Sequence, residues 1–551
     1  MSLAVGMDLG PLAPQRADID RILSLGPAIA VLDGVRLRLI PADPRPCSEI
    51  IDLSVDPQGQ EHYLISVTRQ MARELKDGLV NGDPGAVSRI LDRSFDARRD
   101  YAAILDTPEK IFFSRVGVIQ RAKRSLDSAD FLVRNDDATR IKMALMRQAA
   151  VERRVAVRSI ADALHQELDP AMIKHLMERG VQFKVFNPPG LKDWGKLAVR
   201  YHEKGLGRDG EENVAGDTNS GDEYFQWGRH EKMTSRDILV RGPSAKRAQR
   251  HFDRVWESSW VSTPSIEVAS AWEVRIHRAL YGARELLLRA AFRAIRFPVE
   301  SRSVFFKPRV RKVTRPEVDA AGRELDWVIG HWRELAARKW TESRGRKPEQ
   351  GADKIELVKV GRPTYVHHPA ENPGADAYPG MERNLLNVIR RTRKTLLIAT
   401  PYLVLTPEFE AELKDAIARG VKVKILTNSA RSSDNKMTQA AYERSAPKLA
   451  AMGLEIWEYD GPETMHAKLL ASDGRYFYLG SYNMDNRSQK FSMENGYIVP
   501  SAFLARSLVK IIEADLERSV LVAGEGKLLA KKPVWLGWVP WIYSILAKSQ
   551  L

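Results

Sequence analysis

The chain has 551 residues, 44% hydrophobic and 28% charged, and its 86 Lys and Arg against 71 Asp and Glu give a formal charge of +15. That length exceeds what one hydrophobic core holds, so two or more domains are expected, and the basic charge favours polyanionic partners: an anionic phospholipid or membrane surface, or nucleic acid. The single cysteine, Cys47, excludes an intramolecular disulfide and a cysteine-based metal cluster. No run approaches the about 20 apolar residues that span a bilayer, and no secretory core forms in MSLAVGMDLGPLAPQRADID, so a cytoplasmic or peripheral membrane location is expected.

Residues 1–80 carry no motif and read as an N-terminal extension. Within 81–245, SRVGVIQRAKRSL (114–126) has helical spacing, DFLVRN (130–135) reads as a strand, RIKMALMRQAAVE (140–152) as a helix and RRVAVRSI (153–160) as a strand. Composition shifts over 246–375, which holds FDRVWESSW (252–260), a helical pair, the basic run FRAIRFPVESRSVFFKPRVRKVTRP (292–316) and the linker HHPAENPGADAYPG (367–380). This segment reads as a basic helical connector, either simply solvated or, because Arg309, Arg311, Lys312 and Arg315 alternate with apolar residues, a wall facing phosphate. His367 and His368 have no carboxylate or cysteine partners in the linker and receive no metal role. From 376 to 525 the first order recurs: MERNLLNVIRRTRK (381–394), TLLIATPYL (395–403), PEFEAELKDAIARG (407–420) and VKVKILTNS (421–429). Helices alternating with short aliphatic runs predict α/β units with buried parallel strands. The tail, 526–551, interleaves Trp535, Trp538 and Trp541 with aliphatic residues, a mixture suited to docking on the protein or to a membrane interface.

Each series leads to the same spaced pattern. His202, Lys204, Asp209, Gly216 and Asn219 repeat the offsets of His466, Lys468, Asp473, Gly480 and Asn483, the second copy reading HxK-x4-D-x6-GSxN with Ser481. Five residue types at fixed offsets arise by chance at roughly one start in a few million, so two copies indicate two lobes in tandem. Displacement at a phosphodiester needs a nucleophile, an acid for the leaving oxygen, and cations and donors for the remaining oxygens. On a strand, His and Lys two apart share a face, so both pairs can converge on one phosphate. Gly216 and Gly480 would allow close backbone approach, and Asn219 and Asn483 would offer amide donors. No metal-ligand spacing accompanies the motifs, so a metal- and cofactor-free reaction is expected. HEKMTSRD, from His230 to Asp237, also satisfies HxK-x4-D, but Ser244 and Arg247 stand where Gly and Asn should, so His202 is the better candidate.

The paired pattern resembles the HKD motifs of the phospholipase D superfamily, over roughly residues 100 to 525, and NMDNRSQKFSMENG (483–496) and RDILVRGPSAKRAQRHFDRVW (236–256) are similar to the segments downstream of the motifs in cardiolipin synthase-like members. The resemblance implies an α/β fold of two phospholipase D-like lobes related by a pseudo-twofold, with the active site at their junction. It also implies a ping-pong reaction through a phosphohistidine, His202 being the nucleophile and His466 the acid that later activates water or an alcohol. In that family the aspartates equivalent to Asp209 and Asp473 are structural. Glu494 and Asp237, each opening an apolar strand after its motif, are then the expected acceptors of the histidine Nδ1 protons. Asp217 departs from the pattern: it stands where the second motif has Ser481, and facing the site it would repel a phosphate. Three functions are compatible with this reading: hydrolysis or transfer on phospholipids, a nuclease or other non-lipid phosphodiesterase, and an inactive membrane- or nucleic-acid-binding scaffold.

Overall fold

The computed structural model describes residues 7–8, 28–33, 36–41, 50–55, 61–67, 99–188, 199–228, 232–280, 312–345, 355–370 and 381–529. Cys47, His230, Arg309, Arg311 and the Trp-rich tail from 530 onward lie outside them. Among the described residues no helix is long and apolar enough to cross a membrane.

Four strands, β1 (Ala28–Asp33), β2 (Arg36–Pro41), β3 (Ile50–Val55) and β4 (Glu61–Val67), form an antiparallel extension of the first sheet. The first lobe proper begins with β5 (Asp100–Leu105), α1 (Pro108–Arg121), β6 (Ser125–Asp130), α2 (Asp137–Glu152), β7 (Ala156–Asp162), α3 (Pro170–Glu178) and β8 (Val181–Phe186), with β6, β7 and β8 parallel. The hairpin β9 (Gly205–Arg208) and β10 (Glu212–Gly216) then joins β6, β11 (Asp237–Arg241) pairs with β10, and α4 (Ala245–Glu257) closes the unit.

The helix expected at 114–126 begins earlier, where the Thr107 side chain caps the Lys110 N–H and Pro108 occupies the first turn. The strand expected at 130–135 lies at Ser125–Asp130 instead. Its sequence, SLDSAD, hides in a polar guise: Asp127 is paired with Arg158 at 2.7 Å and Asp130 with Lys142 at 2.6 Å, so buried carboxylates take places usually held by Val or Ile.

The segment expected as a connector contributes to the first lobe. α5 (Arg315–Arg344) buries Leu325, Trp332, Leu335 and Trp340 in the same core as Phe112 and Trp227, and β12 (Ile355–Val360) enters the sheet between β3 and β5. Arg315 faces Glu178 at 2.7 Å and Lys312 faces Glu267 at 3.5 Å, so in its described part the basic run is paired along the outside of this lobe.

The second lobe contains β13 (Thr364–His367), α6 (Met381–Arg391), β14 (Thr395–Ala399), α7 (Pro407–Ala418), β15 (Lys422–Asn428), α8 (Lys436–Ala451), β16 (Glu455–Tyr459), the hairpin β17 (Leu469–Ser472) and β18 (Tyr476–Gly480), then α9 (Asn486–Lys490), β19 (Asn495–Pro500), α10 (Ala502–Leu516) and β20 (Ser519–Gly524). Its strands run β19-β18-β17-β14-β15-β16, matching β11-β10-β9-β6-β7-β8 of the first lobe. The two α/β lobes are thus copies of one topology. Two short parallel bridges join them: Arg200 and Tyr201 pair with Ser492 and Met493, while Met233 and Thr234 pair with Thr464 and Met465.

Asp209 and Asp473 lie at the turns of the two motif hairpins with φ of 55° and 52°. Asp209 accepts the N–H groups of Lys123, Arg124 and Ser125 at 2.7 to 3.0 Å, and Asp473 those of Arg393, Lys394 and Thr395 at 2.8 to 3.0 Å. Each clamps its hairpin to the start of the central parallel strand, well behind the histidines. Although burial alone would raise both carboxyls, these N–H donors hold them below the usual range. Asp209→Ala should therefore cost about 2 kcal/mol in a denaturant titration at neutral pH. A depressed pKa adds stability above the ordinary carboxylate range and loses it as pH falls through the folded value, so the gap to the parent protein should close in acid.

Candidate active site

The bridges between the lobes deliver the motif residues to one place. His202 follows Tyr201 of one bridge and His466 follows Met465 of the other. His202 is held well below its ordinary pKa first by burial and then by Lys204, Lys468, His466 and Arg487, which places both motifs around one site. Lys204 and Lys468 are buried, and each Nζ donates to the carbonyl of its own histidine at 2.7 Å. Burial lowers both ammonium groups, Lys468 to about 8, while Glu494 and Asp217 oppose that shift. The result is a buried cluster of two lysines and two imidazoles backed by two carboxylates.

The carboxylates are crossed between lobes. Glu494, in the second lobe, lies 2.8 Å from Nδ1 of His202 and also receives the hydroxyls of Ser488 at 2.7 Å and of Ser481. Burial raises the Glu494 pKa and lowers that of His202; with Nδ1–H directed at Glu494, the Nε2 lone pair is left for substrate. The partner of His466 is Asp217, whose Oδ1 lies 3.2 Å from Nδ1. Burial alone would raise Asp217, but His466, Lys468 and Ser235 bring it below the usual range; His466 in turn is lowered by burial and by Lys468, with Asp217 opposing.

Asp237 is not a histidine partner, contrary to the sequence expectation. Its Oδ2 accepts from the Arg115 guanidinium at 2.7 Å and its Oδ1 from the N–H groups of Asp217 and Thr218 at 3.1 and 3.2 Å. It fixes the loop that presents Asp217.

Strand register explains the change. Gly216 pairs with Asp237 and Gly480 with Gly496, so Asp217 matches Ser481 and Ser235 matches Glu494. In the second lobe the hydroxyl follows the motif strand and the acid precedes the next strand. In the first lobe the two have exchanged places. Asp217, the residue that cast doubt on the first motif, is the acid of the first lobe that faces His466.

Several other expectations are redirected. A Cβ on Gly216 would come within 2.1 Å of Asp237, and one on Gly480 within 2.3 Å of the Asn495 carbonyl, so both glycines admit the neighbouring strand and do not cradle substrate. Ser481 is spent on Glu494 and on the Asn495 backbone. Asn219 receives the Leu132 N–H at 3.2 Å and donates to the Tyr224 hydroxyl at 2.6 Å, so its amide already has partners; Asn483 keeps a buried Oδ1 with no hydrogen-bond partner among the described residues, leaving this carboxamide open to a ligand. Sequence reasoning missed Phe131, edge-on to His202 at 4.7 Å, and Tyr224, edge-on to His466 at 5.5 Å. Between His202 and Lys204, Glu203 points to the opposite face and meets His251 at 2.6 Å; His251 stacks on His367. Among the described residues no group of His, Cys, Asp and Glu is spaced to hold a metal ion.

Residues 385–518 match a family model described as the cardiolipin synthase, PLD-like domain. The chain is 23% identical over 429 residues to cardiolipin synthase C of Escherichia coli K12, covering 72% of this chain and 81% of that one. It is 30% identical over 146 residues to the probable cardiolipin synthase YwiE of Bacillus subtilis 168, covering 26% and 29%. A fold likeness at 14% identity, with a TM-score of 0.53 over 82% of this chain and 95% of the other, links it to phosphatidylserine synthase of Haemophilus influenzae Rd KW20.

Turnover of a phosphodiester by Asp217→Ser should fall about 100-fold or more, and adding Ser235→Asp to that variant should restore most of it, because the acid returns on the opposite strand. In Asp217→Asn the carboxylate that raises His466 is gone, so the alkaline limb of kcat/KM should move to lower pH. Equal loss in the single and double variants, with no shift of that limb, would contradict the exchange.

Proposed function

We propose that the chain is a phospholipase D superfamily enzyme that hydrolyses or transfers phosphatidyl groups through a phosphohistidine, as a phospholipase D or cardiolipin synthase-type transphosphatidylase. The observation that carries this reading is the pair of crossed histidine–carboxylate contacts, Glu494 on His202 and Asp217 on His466, around two buried lysines. Kinship with cardiolipin synthases along most of the chain supports a lipid substrate.

In the first half-reaction His202 Nε2 attacks phosphorus, the P–Nε2 bond forms and the P–O bond to the headgroup alcohol breaks. Imidazolium character at His202 is stabilised by Glu494, and His466 gives its proton to the departing oxygen. In the second, His466 takes a proton from water or an acceptor alcohol, whose oxygen attacks phosphorus as the P–N bond breaks. Lys204 and Lys468 bind the non-bridging oxygens, with the Asn483 side-chain N–H as a further donor. The charge that a divalent ion supplies in many phosphoryl enzymes comes here from two ammonium groups, which is the basis for a metal-independent reaction. Asp217, the one feature that favoured an inactive scaffold, supports activity instead.

His202 must be neutral and His466 protonated at the start, so kcat/KM should be bell-shaped: activity falls in acid as His202 gains a proton and in base as His466 loses one. Both imidazoles lie below the ordinary 6.5, which puts the optimum on the acid side of neutrality; a further loss near pH 8 follows deprotonation of Lys468.

The purified protein and His466→Ala should be incubated in EDTA with phosphatidylglycerol or phosphatidylcholine, and separately with DNA. Lipid turnover that disappears in the variant is the expected result. DNA cleavage without lipid turnover would move the assignment to the nuclease reading, which the +15 charge favours. Dependence on added Mg²⁺ or Zn²⁺ would refute the metal-independent route.

A further inference from the structure

One cation beside the site has no partner among the described residues. Arg487 is partly buried in the short helix α9, and its guanidinium makes no hydrogen bond or ion pair with any of them. The Phe491 N–H closes α9 onto the Arg487 carbonyl at 2.9 Å, and the Phe491 carbonyl accepts the Arg200 N–H at 2.7 Å, two residues before His202. On the other side of Arg487, Ser488 bonds Glu494, the acid behind His202. Arg487 is therefore built into the His202 flank. Burial holds its pKa below the ordinary arginine value, with Asp485, Asp162 and Glu494 opposing and Arg200 adding to the shift.

The corresponding position in the other lobe shows what compensation looks like. Four residues after Asn219 the chain carries Glu223, which is paired with Arg134 at 3.0 Å; four residues after Asn483 it carries Arg487, unpaired among the described residues. On the His466 flank the corresponding charged group is Asp434, bonded by the Tyr402 hydroxyl at 2.9 Å and acting on His466 and Lys468. A further anionic part of a substrate belongs beside the open guanidinium of Arg487.

We propose that Arg487 binds a second phosphoryl group of the substrate, next to the phosphodiester held by Lys204 and Lys468. A guanidinium left unpaired and partly desolvated costs free energy that a bidentate phosphoryl contact returns, and its planar fork fits that geometry better than an ammonium. The assignment rests on the phospholipid reading above. Two lipids offer the chemistry: a nucleoside-diphosphate-linked diacylglycerol, through its pyrophosphate, and a second phospholipid, through its own phosphodiester.

Direct titration of the full chain tests the subsite without any lipid. The parent protein should bind inorganic pyrophosphate about tenfold or more tightly than inorganic phosphate; Arg487→Gln should erase that preference, and Arg487→Lys should keep part of it. A preference that survives Arg487→Gln, or a malonate affinity equal to that of pyrophosphate, would overturn the proposal. Retained phosphate binding by Arg487→Gln separates loss of the subsite from misfolding. With lipids, the variant should lose selectivity for a nucleoside-diphosphate-linked diacylglycerol over phosphatidylcholine, if pyrophosphate is the source. If a second phospholipid is the source, it should instead lose transfer relative to hydrolysis on phosphatidylglycerol. Loss of neither ratio refutes the role in turnover. If the parent protein turns over no lipid, the functional reading fails while the pyrophosphate titration still decides the subsite.

Discussion

The arrangement of the candidate site depends on two short parallel bridges that sew each lobe to the other immediately beside a motif histidine. Tyr201 meets Met493 one residue before Glu494, and Thr234 meets Met465 one residue before His466. A bridge two residues long contributes little stability by itself, yet it sets which carboxylate faces which imidazole. Neither lobe can orient its own histidine, so correct docking of the large sheets is a precondition for chemistry and not merely for compactness.

That dependence explains what the sequence revealed and what it concealed. The spacing of His, Lys, Asp, Gly and Asn identified the site because those residues lie on one hairpin, where distance along the chain maps directly onto distance in space. The parallel strands of the second lobe were legible for the same reason: TLLIA is an apolar run buried after its first residue, and KVKILTN carries Val423, Ile425 and Leu426 into the core. β6 was misplaced because SLDSAD achieves its burial through ion pairs with Arg158 and Lys142, partners dozens of residues away or on a neighbouring element. Asp237 was misread for a related reason. An acid that opens a strand after the motif can face a histidine or an arginine, and only the register of β10 against β11, together with Arg115 from α1, decides that it faces the arginine. The same register would have nominated Asp217, had the strand pairing been known.

The electrostatics of the site are those of a structure stabilised for a guest. Lys204, Lys468, His202 and His466 are all pushed toward their neutral forms by burial, and the two carboxylates only partly offset this. Both lysine tails fold onto backbone carbonyls, which satisfies donors without neutralising charge. An incoming phosphate completes the set: it supplies the missing negative charge, raises the proton affinity of the acid and strengthens each contact through exclusion of water.

The exchange of Asp217 and Ser235 relative to Ser481 and Glu494 has a consequence for how such a molecule could be assembled. Each lobe owns one histidine and one acid and spends both on the other, so each is a complete half whichever strand carries its carboxylate. Two copies of either lobe, facing across a true twofold axis, would contain a full complement of groups for the same site. Within one chain the halves need not be identical, and the relocated acid, the paired Glu223 and Arg487, which has no partner among the described residues, mark how far the two differ.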